Sequence, residues 1–226
     1  MRPRAFPALP PASFRWPISL EKPWRITILL IMPTTAPLVL AFGDSLVAGY
    51  GLAADQSFPA QLQHRLRERH DGARVINAGV SGNTSGDARR RLPGVLSRLT
   101  ERPDLAIVQI GANDVLRGLS PAQTEGNLDA ILLEFSRCDI PVLLTTLEPP
   151  AFLRARTGAF LGIHQEVAAR HGTLLASFFP PGVLGHPTMV LADRIHPNGA
   201  AITAVVDHLL PTIERALSPV AAARAA

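Results

Sequence analysis

The chain has 226 residues, 47% of them hydrophobic, which suits one globular domain with a sizeable core. Its formal net charge of +4 resides in residues 1–31, where five basic residues accompany one acidic residue, while residues 32–226 hold 17 of each. Because a nucleic-acid-binding domain carries its basic excess on the folded body, this distribution argues against a nucleic-acid partner. The single cysteine, Cys138, excludes an intrachain disulfide and a cysteine-based zinc site.

Residues 1–36 show no apolar periodicity and are expected to form a disordered leader, for which two interpretations stay open. In the first, the gene start is over-extended, translation begins at Met32, and a cytoplasmic location is favoured. In the second, Arg25 and the apolar stretch 26–32 form a weak export signal, and the protein is periplasmic or secreted. The stretch is at the short end of the ~7–15 residues of a signal and far below the ~20 that span a bilayer, so no stable membrane insertion is expected.

From residue 37 to residue 218, short apolar runs alternate with segments of helical period, and residues 219–226 are expected to be a flexible tail. Three of the runs are nearly continuous in hydrophobicity, as strands buried on both faces are. The predicted strands are 38–42, 74–78, 105–110, 141–147 and 173–178.

The segments between these runs predict amphipathic helices. Pro211 is expected to kink or divide the last of them. The helices are predicted to begin near Phe58, after the cap-like residues Ser85 and Asp87, at Ser120-Pro121, near residue 156 and near residue 199.

This order of elements predicts a flavodoxin-like α/β/α sandwich, with a five-stranded parallel sheet and helices on both faces. Ligands bind beyond the carboxyl ends of the strands in such folds. Four polar blocks follow strand ends or precede helices in this chain, and each is therefore a candidate for a functional site.

The first block, Gly43-Asp44-Ser45-Leu46, follows the first strand. A nucleophilic serine needs a sharp turn and gains from a helix N-terminus, and Ser45 has both here. Two other interpretations fit the block alone. Ser45 could be an ordinary N-cap, or Gly49 and Gly51 could belong to a phosphate-binding loop, although no Walker pattern is present.

The second and third blocks contain candidate donors to an oxyanion. Gly82, after the second strand, could expose its backbone N–H to a substrate because it has no Cβ. Asn113, in Gly111-Ala112-Asn113-Asp114 after the third strand, carries a neutral amide that would not quench a nucleophile. Taken alone, the Gly82 block is better explained as an ordinary turn, and the Asn113 block is equally well explained as an Asn-Asp turn.

The fourth block runs from Asp193 to Gly199. Pro197 biases His196 away from helical geometry, so the histidine is expected in an extended loop just before the last helix. Asp193, three residues upstream, could reach the imidazole and set its tautomer. An acid, a histidine and a serine on a turn are the components of a serine hydrolase.

These four ordered blocks resemble those of the SGNH hydrolases, the GDSL lipase and esterase superfamily, and are most similar to its arylesterase, lysophospholipase and acyl-CoA thioesterase I branch. The resemblance covers roughly residues 37–217. It implies that Ser45 is the nucleophile, that Asp193 and His196 are the acid and base, and that Ser45, Gly82 and Asn113 form the oxyanion hole. Ala112 stands where this branch usually has a second glycine, and residues 151–154 lack its Asn-Tyr-Gly pattern.

The resemblance implies hydrolysis of acyl esters or thioesters, aryl esters and lysophospholipids among them, with no metal or organic cofactor. A monomer is favoured. An acyltransferase, a carbohydrate deacetylase and a non-catalytic phosphate- or nucleotide-binding module remain as alternatives. Leu119, Phe152, Leu153, Phe160 and Phe179 are candidates for the substrate groove, although core packing explains most residues of these types.

Overall fold

The computed structural model describes residues 36–146 and 157–218, and within them five parallel strands form one sheet in the order β2-β1-β3-β4-β5. This order is that of the flavodoxin-like sheet and confirms the predicted fold class. The strands are β1 Leu38–Gly43, β2 Arg74–Gly79, β3 Leu105–Gln109, β4 Val142–Thr146 and β5 Leu174–Ser177.

Helices connect successive strands and cover both faces of the sheet. Short 3₁₀ turns at Ala54–Gln56 and Gly158–Phe160 precede two of them. The helices are α1 Ser45–Ala48, α2 Phe58–Arg67, α3 Ser85–Leu96, α4 Ala112–Arg117, α5 Pro121–Arg137, α6 Ile163–His171 and α7 Gly199–Leu217.

Two hydrophobic cores lie on opposite faces of the sheet, because successive side chains of a strand point to opposite sides. In β1, Val39 and Ala41 pack with α2 and α7, whereas Leu40 and Phe42 pack with α3, α5 and α6. β1, β3 and β4 are buried along their whole length, as their continuous hydrophobicity predicts. The edge strand β5 begins with two exposed leucines.

Two predicted helices differ from the structure in how they begin or continue. Gly162 has a left-handed φ of 88°, and α6 begins after it at Ile163 rather than near residue 156. α7 is one helix from Gly199 to Leu217, with Pro211 inside it. Its buried stripe, which includes Val205, Leu209 and Ile213, packs on both sides of the proline, and this packing outweighs one lost backbone hydrogen bond.

Two further local predictions are corrected. The segment for which an Asn-Asp turn was one of two open interpretations is the short helix α4. The cap of α3 is Thr84 rather than Ser85, and its hydroxyl accepts a hydrogen bond from the backbone N–H of Asp87 while the Asp87 carboxylate accepts one from the N–H of Thr84. This reciprocal capping box places Ser85 in the first turn, where its side chain is free for another partner.

The register of the sheet brings the first three polar blocks to one edge. Gly43 at the end of β1 lies beside Gly79 of β2 and Gln109 of β3. The loops that follow these three strands therefore leave the sheet side by side, at its carboxyl edge.

Candidate active site

Ser45 lies at the first position of α1, and its hydroxyl does not cap the helix. The N-cap is Asp44, whose Oδ1 accepts a hydrogen bond of 3.0 Å from the backbone N–H of Leu46. Gly49 ends the helix in a left-handed conformation, with its N–H bonded to the Ser45 carbonyl. The N-cap interpretation of Ser45 is therefore wrong, and Gly49 acts as a helix C-cap.

The loop that carries His196 is held in place at both ends. Val190 and Pro197 form an antiparallel bridge, and the backbone N–H of Leu191 donates to the His196 carbonyl at 2.8 Å. Directly after this bridge, the side chain of Asn198 caps α7 by accepting from the N–H of Ala201. The histidine is thus fixed between a two-stranded contact and a helix start.

Asp193, His196 and Ser45 form a continuous chain of hydrogen bonds. The Asp193 Oδ2 lies 2.7 Å from His196 Nδ1, and His196 Nε2 lies 3.1 Å from the Ser45 Oγ. A carboxylate can only accept, so Nδ1 carries the proton and Nε2 is left as the acceptor for the serine hydroxyl. This is the tautomer that a general base for Ser45 requires.

Asp193 is held as an anion by its own loop. Its Oδ1 accepts from the backbone N–H groups of Ile195 and His196, and its other oxygen pairs with the His196 ring. These hydrogen bonds lower the pKa of Asp193 to about 2 from 3.8. Because the pKa is lowered on folding, the resulting stabilisation is complete above about pH 4 and is lost as the pH falls through about 2.

Asn113 and Gly82 lie at neighbouring loops of the same edge. The Asn113 side-chain amide donates one hydrogen bond, of 2.9 Å, to the carbonyl of Asn83. An amide nitrogen carries two hydrogens, so one remains for a further acceptor. Gly82 has a left-handed φ of 78°, which a residue with a side chain adopts only with strain.

A buried carboxylate anchors the loop of Asn113. Asp114 is fully buried and accepts hydrogen bonds from the backbone N–H and hydroxyl of Ser85 and from the hydroxyl of Thr124 at 2.9 Å. These bonds tie α4 to α3 and α5. Nothing in the local sequence around Asp114 indicates that its side chain is buried.

The Asp44 side chain is buried beneath the serine turn. Loss of hydration, and to a smaller degree the nearby Asp114, raise its pKa from 3.8 to about 7, against the opposing effect of its bond from Leu46 and of Arg91. The Arg91 guanidinium donates to the carbonyl of Gly43 at 2.8 Å and to the Asn83 side chain at 2.6 Å. Arg91 thus links the serine turn to the loop that follows β2.

Two aromatic side chains near the site were also not anticipated from sequence. The Tyr50 ring lies 4.4 Å from the His196 ring, centroid to centroid, with the two ring planes tilted by 38°. The His164 ring contacts the Ile110 carbonyl at 3.0 Å, and burial lowers the pKa of His164. Neither residue has a sequence pattern that distinguishes it from its neighbours.

The candidate groove residues do not come together as one surface. Phe179 is 6% exposed and packs edge-to-face on Phe178 in the core beside α2 and α7, whereas Phe160 packs on the core of the other face. Leu119 is half-buried and lines a groove between α3 and α5. Phe152 and Leu153 lie outside the described residues.

The described ranges, 36–146 and 157–218, contain neither a cluster suited to a metal ion nor a helix suited to cross a membrane. In these ranges, no cluster of three or more His, Cys, Asp or Glu side chains could hold a metal ion. Nor does any helix there have the length and apolar character needed to cross a membrane.

Comparison with known proteins identifies the family. The model of the GDSL-like Lipase/Acylhydrolase family matches residues 41–201. Esterase TesA of Pseudomonas aeruginosa is 37% identical over 188 residues, which cover 83% of this chain and 92% of that protein. Thioesterase 1/protease 1/lysophospholipase L1 of Escherichia coli K12 is 32% identical over 203 residues, 89% and 93% of the two chains.

A solved structure agrees with these matches. AlinE4, an SGNH-hydrolase family esterase, superposes with a TM-score of 0.66 at 39% identity, covering 81% of this chain and 98% of that one. The match to the family model spans all four polar blocks of the sequence. The chain therefore belongs to the GDSL-like lipase/acylhydrolase family.

Proposed function

We propose that this protein is a serine esterase that hydrolyses acyl esters through an acyl-enzyme, with Ser45 as nucleophile, His196 as base and Asp193 as the acid that orients the base. The observation that carries the proposal is the unbroken chain of hydrogen bonds from Asp193 through His196 to the Ser45 hydroxyl. Membership of an acylhydrolase family supports the same chemistry.

The reaction proceeds in two displacements. The Ser45 Oγ attacks the acyl carbonyl carbon while its proton passes to His196 Nε2. The tetrahedral intermediate expels the alcohol, which takes that proton, and leaves the acyl group on Ser45. A water molecule then gives a proton to His196 and attacks the acyl carbon. The carboxylic acid product departs as His196 returns the proton to the Ser45 Oγ.

The oxyanion of each tetrahedral intermediate needs donors that are already in place. We assign this role to the backbone N–H groups of Ser45 and Gly82 and to the second hydrogen of the Asn113 amide. The bond from Asn113 to the Asn83 carbonyl supports this assignment because it fixes the amide before substrate arrives. Arg91 and Asp114 hold the loops of these donors in place.

The substrates are acyl esters, and we extend the proposal to aryl esters and acyl thioesters. The printed names of the relatives support this range, since they include an esterase, a thioesterase and lysophospholipase, and an arylesterase. All the groups assigned here belong to residues 37–218 of one chain. A monomer of this domain is therefore sufficient for the chemistry.

Hydrolysis of p-nitrophenyl esters of graded acyl length tests the nucleophile. Ser45→Ala should reduce kcat by a factor on the order of 10⁴–10⁶, because the acyl-enzyme can no longer form. Labelling with a fluorophosphonate should occur in the wild type and be lost in Ser45→Ala. Ser97→Ala, an exposed serine at the end of α3, is the matched control and should label normally. Equal ester hydrolysis by wild type and Ser45→Ala would refute the assignment.

A further inference from the structure

A groove of about 940 Å³ lies between α3 and α5 and reaches the end of α4. Arg89 and Arg90 of α3 and Arg117 of α4 line it, together with Leu119 and Asn127. None of these residues belongs to the hydrogen-bonded chain that activates Ser45. The groove is thus a second surface feature of the same edge of the molecule.

The groove begins beside the proposed oxyanion hole. An Nη atom of Arg117 lies 3.1 Å from the point where a Cβ on Gly82 would stand, so the guanidinium rests against the Gly82 backbone. Thr84, which also lines the groove, is only two residues from Gly82. A substrate whose carbonyl oxygen is bound at Gly82 could therefore extend directly into this groove.

The groove carries an excess of positive charge. The carboxylate among its lining residues is Asp87, which is held by Thr84 and paired with Arg90. Arg89 makes only a 3.4 Å contact with the Asn127 side-chain oxygen. Arg117 lies near enough to Asp87 to interact with its charge, but it forms no ion pair within 4 Å with a carboxylate of the described residues. Two guanidinium groups thus remain available to an anion.

This charge is a local feature and does not reflect a basic domain. Residues 32–226 hold equal numbers of basic and acidic residues. Arg170 of α6, by contrast, pairs with both Glu125 and Asp129 of α5. Arg117, which forms no ion pair within the described residues, thus lies beside the proposed oxyanion donor Gly82 in a domain of balanced charge.

We propose that this groove binds an anionic group of the ester substrate, a phosphate or a carboxylate, through Arg89 and Arg117. The proposal rests on the esterase function given above. Guanidinium groups suit this role because their paired N–H donors match the oxygens of both anions. Leu119 and Pro93 provide an apolar lining for the part of the substrate that joins the anion to the ester.

Matched pairs of esters test the proposal and locate the anion within the substrate. One pair places the charge on the acyl side: p-nitrophenyl hydrogen adipate and p-nitrophenyl hexanoate. The other places it on the leaving group: 4-(hexanoyloxy)phenyl phosphate and 4-methylphenyl hexanoate. In at least one pair, the ratio of kcat/KM for the charged ester to kcat/KM for the neutral ester should be higher in wild type than in the double variant Arg89→Gln/Arg117→Gln. We expect that variant to lower the charged-to-neutral ratio of kcat/KM about tenfold, a modest effect because the arginines are exposed.

Two controls separate charge from structure. Arg89→Lys/Arg117→Lys keeps the charge and loses the paired donors, so its ratio should fall between those of wild type and the glutamine variant. Arg215→Gln removes an arginine from α7, on the opposite face of the sheet, and should leave the ratio unchanged. The preference of wild type should also weaken as the salt concentration rises to 1 M.

Binding of phenyl phosphate, followed by NMR chemical shifts, provides a measurement that does not depend on hydrolysis. Saturable shifts in wild type that Arg89→Gln/Arg117→Gln abolishes would support the groove even if every ester tested were inert, in which case the esterase proposal alone would fail. Ester hydrolysis that depends on Ser45, with unchanged ratios in both pairs and no saturable binding, would overturn the groove and leave the esterase proposal intact.

Discussion

At Arg194 the backbone adopts a left-handed φ of 58°, which is uncommon for a residue with a side chain. The conformation turns the chain so that the Asp193 carboxylate accepts from two backbone N–H groups and still reaches the His196 ring. The hydrogen bonds that keep Asp193 ionised therefore come mainly from backbone N–H groups two and three residues further along the chain. Asn113 is also held by the backbone, because its amide donates to a single carbonyl, that of Asn83.

The assignment of Asn113 to the oxyanion hole predicts a selective loss of turnover. Asn113→Ala should lower kcat by about 10²–10³ while KM changes little, because the donor acts mainly in the transition state. Steady-state hydrolysis of p-nitrophenyl butyrate measures both constants. The melting temperature should show that the variant is folded. A loss confined to KM would argue against the role given to Asn113.

At the scale of elements, the junction of α1 with the ends of β1 and β2 determines where Ser45 lies. Gly79, the last residue of β2, packs directly against α1, and a Cβ on it would overlap the backbone atoms of Val47 and Ala48. Since the obstructing atoms are backbone, the overlap cannot be relieved by turning a side chain. The close approach of β2 to α1 therefore requires glycine at residue 79.

Gly79→Ala should consequently destabilise the protein by about 1–3 kcal/mol and lower esterase activity by displacing the serine turn. Gly126→Ala is the matched control, because Gly126 lies inside α5 and a Cβ there would meet no atom within 4 Å. The control should raise stability by about 0.5–1 kcal/mol. Urea denaturation of both variants measures the difference, and equal effects would contradict the packing argument.

At the scale of the whole molecule, the stability of the fold is linked to a buried carboxyl next to Ser45. The Asp44 side chain caps α1 through one oxygen, while its other oxygen, Oδ2, is buried and has no hydrogen-bond partner among the described residues. Its pKa of about 7 lies above the ordinary value of 3.8, so folding favours the protonated form. This contribution to stability is full below about pH 4 and is lost as the pH rises to about 7.

Asp44→Asn should therefore change the pH dependence of stability. The variant keeps an oxygen for the bond from Leu46 and has no charge to bury. The difference in free energy of unfolding, variant minus wild type, should increase by about 3 kcal/mol from pH 5 to pH 8. This value comes from the linkage of one proton over roughly two pH units. Urea titrations at the two pH values measure this change. Asp71→Asn, at an exposed position after α2, should show a much smaller change, and an equal one would refute the explanation.

Much of this molecule could be predicted from its sequence, because its main signals are local. Apolar runs separated by amphipathic segments predict the parallel sheet, since a strand buried on both faces needs continuous hydrophobicity. Ser120-Pro121 predicts the start of α5, with serine as cap and proline at the first position, as the structure has it. The four polar blocks identified the family for the same reason, being short and ordered along the chain.

Only the tertiary structure decided how the site is supported. That Asp44, rather than Ser45, caps α1 depends on a carboxyl that the fold buries. The burial of Asp114 depends on Ser85, which is 29 residues away, and the arginine groove depends on Arg117, at the end of α4, reaching Gly82 in the loop before α3. Such contacts join segments far apart in the chain, and a hydrophobic periodicity of two or 3.6 residues does not predict them.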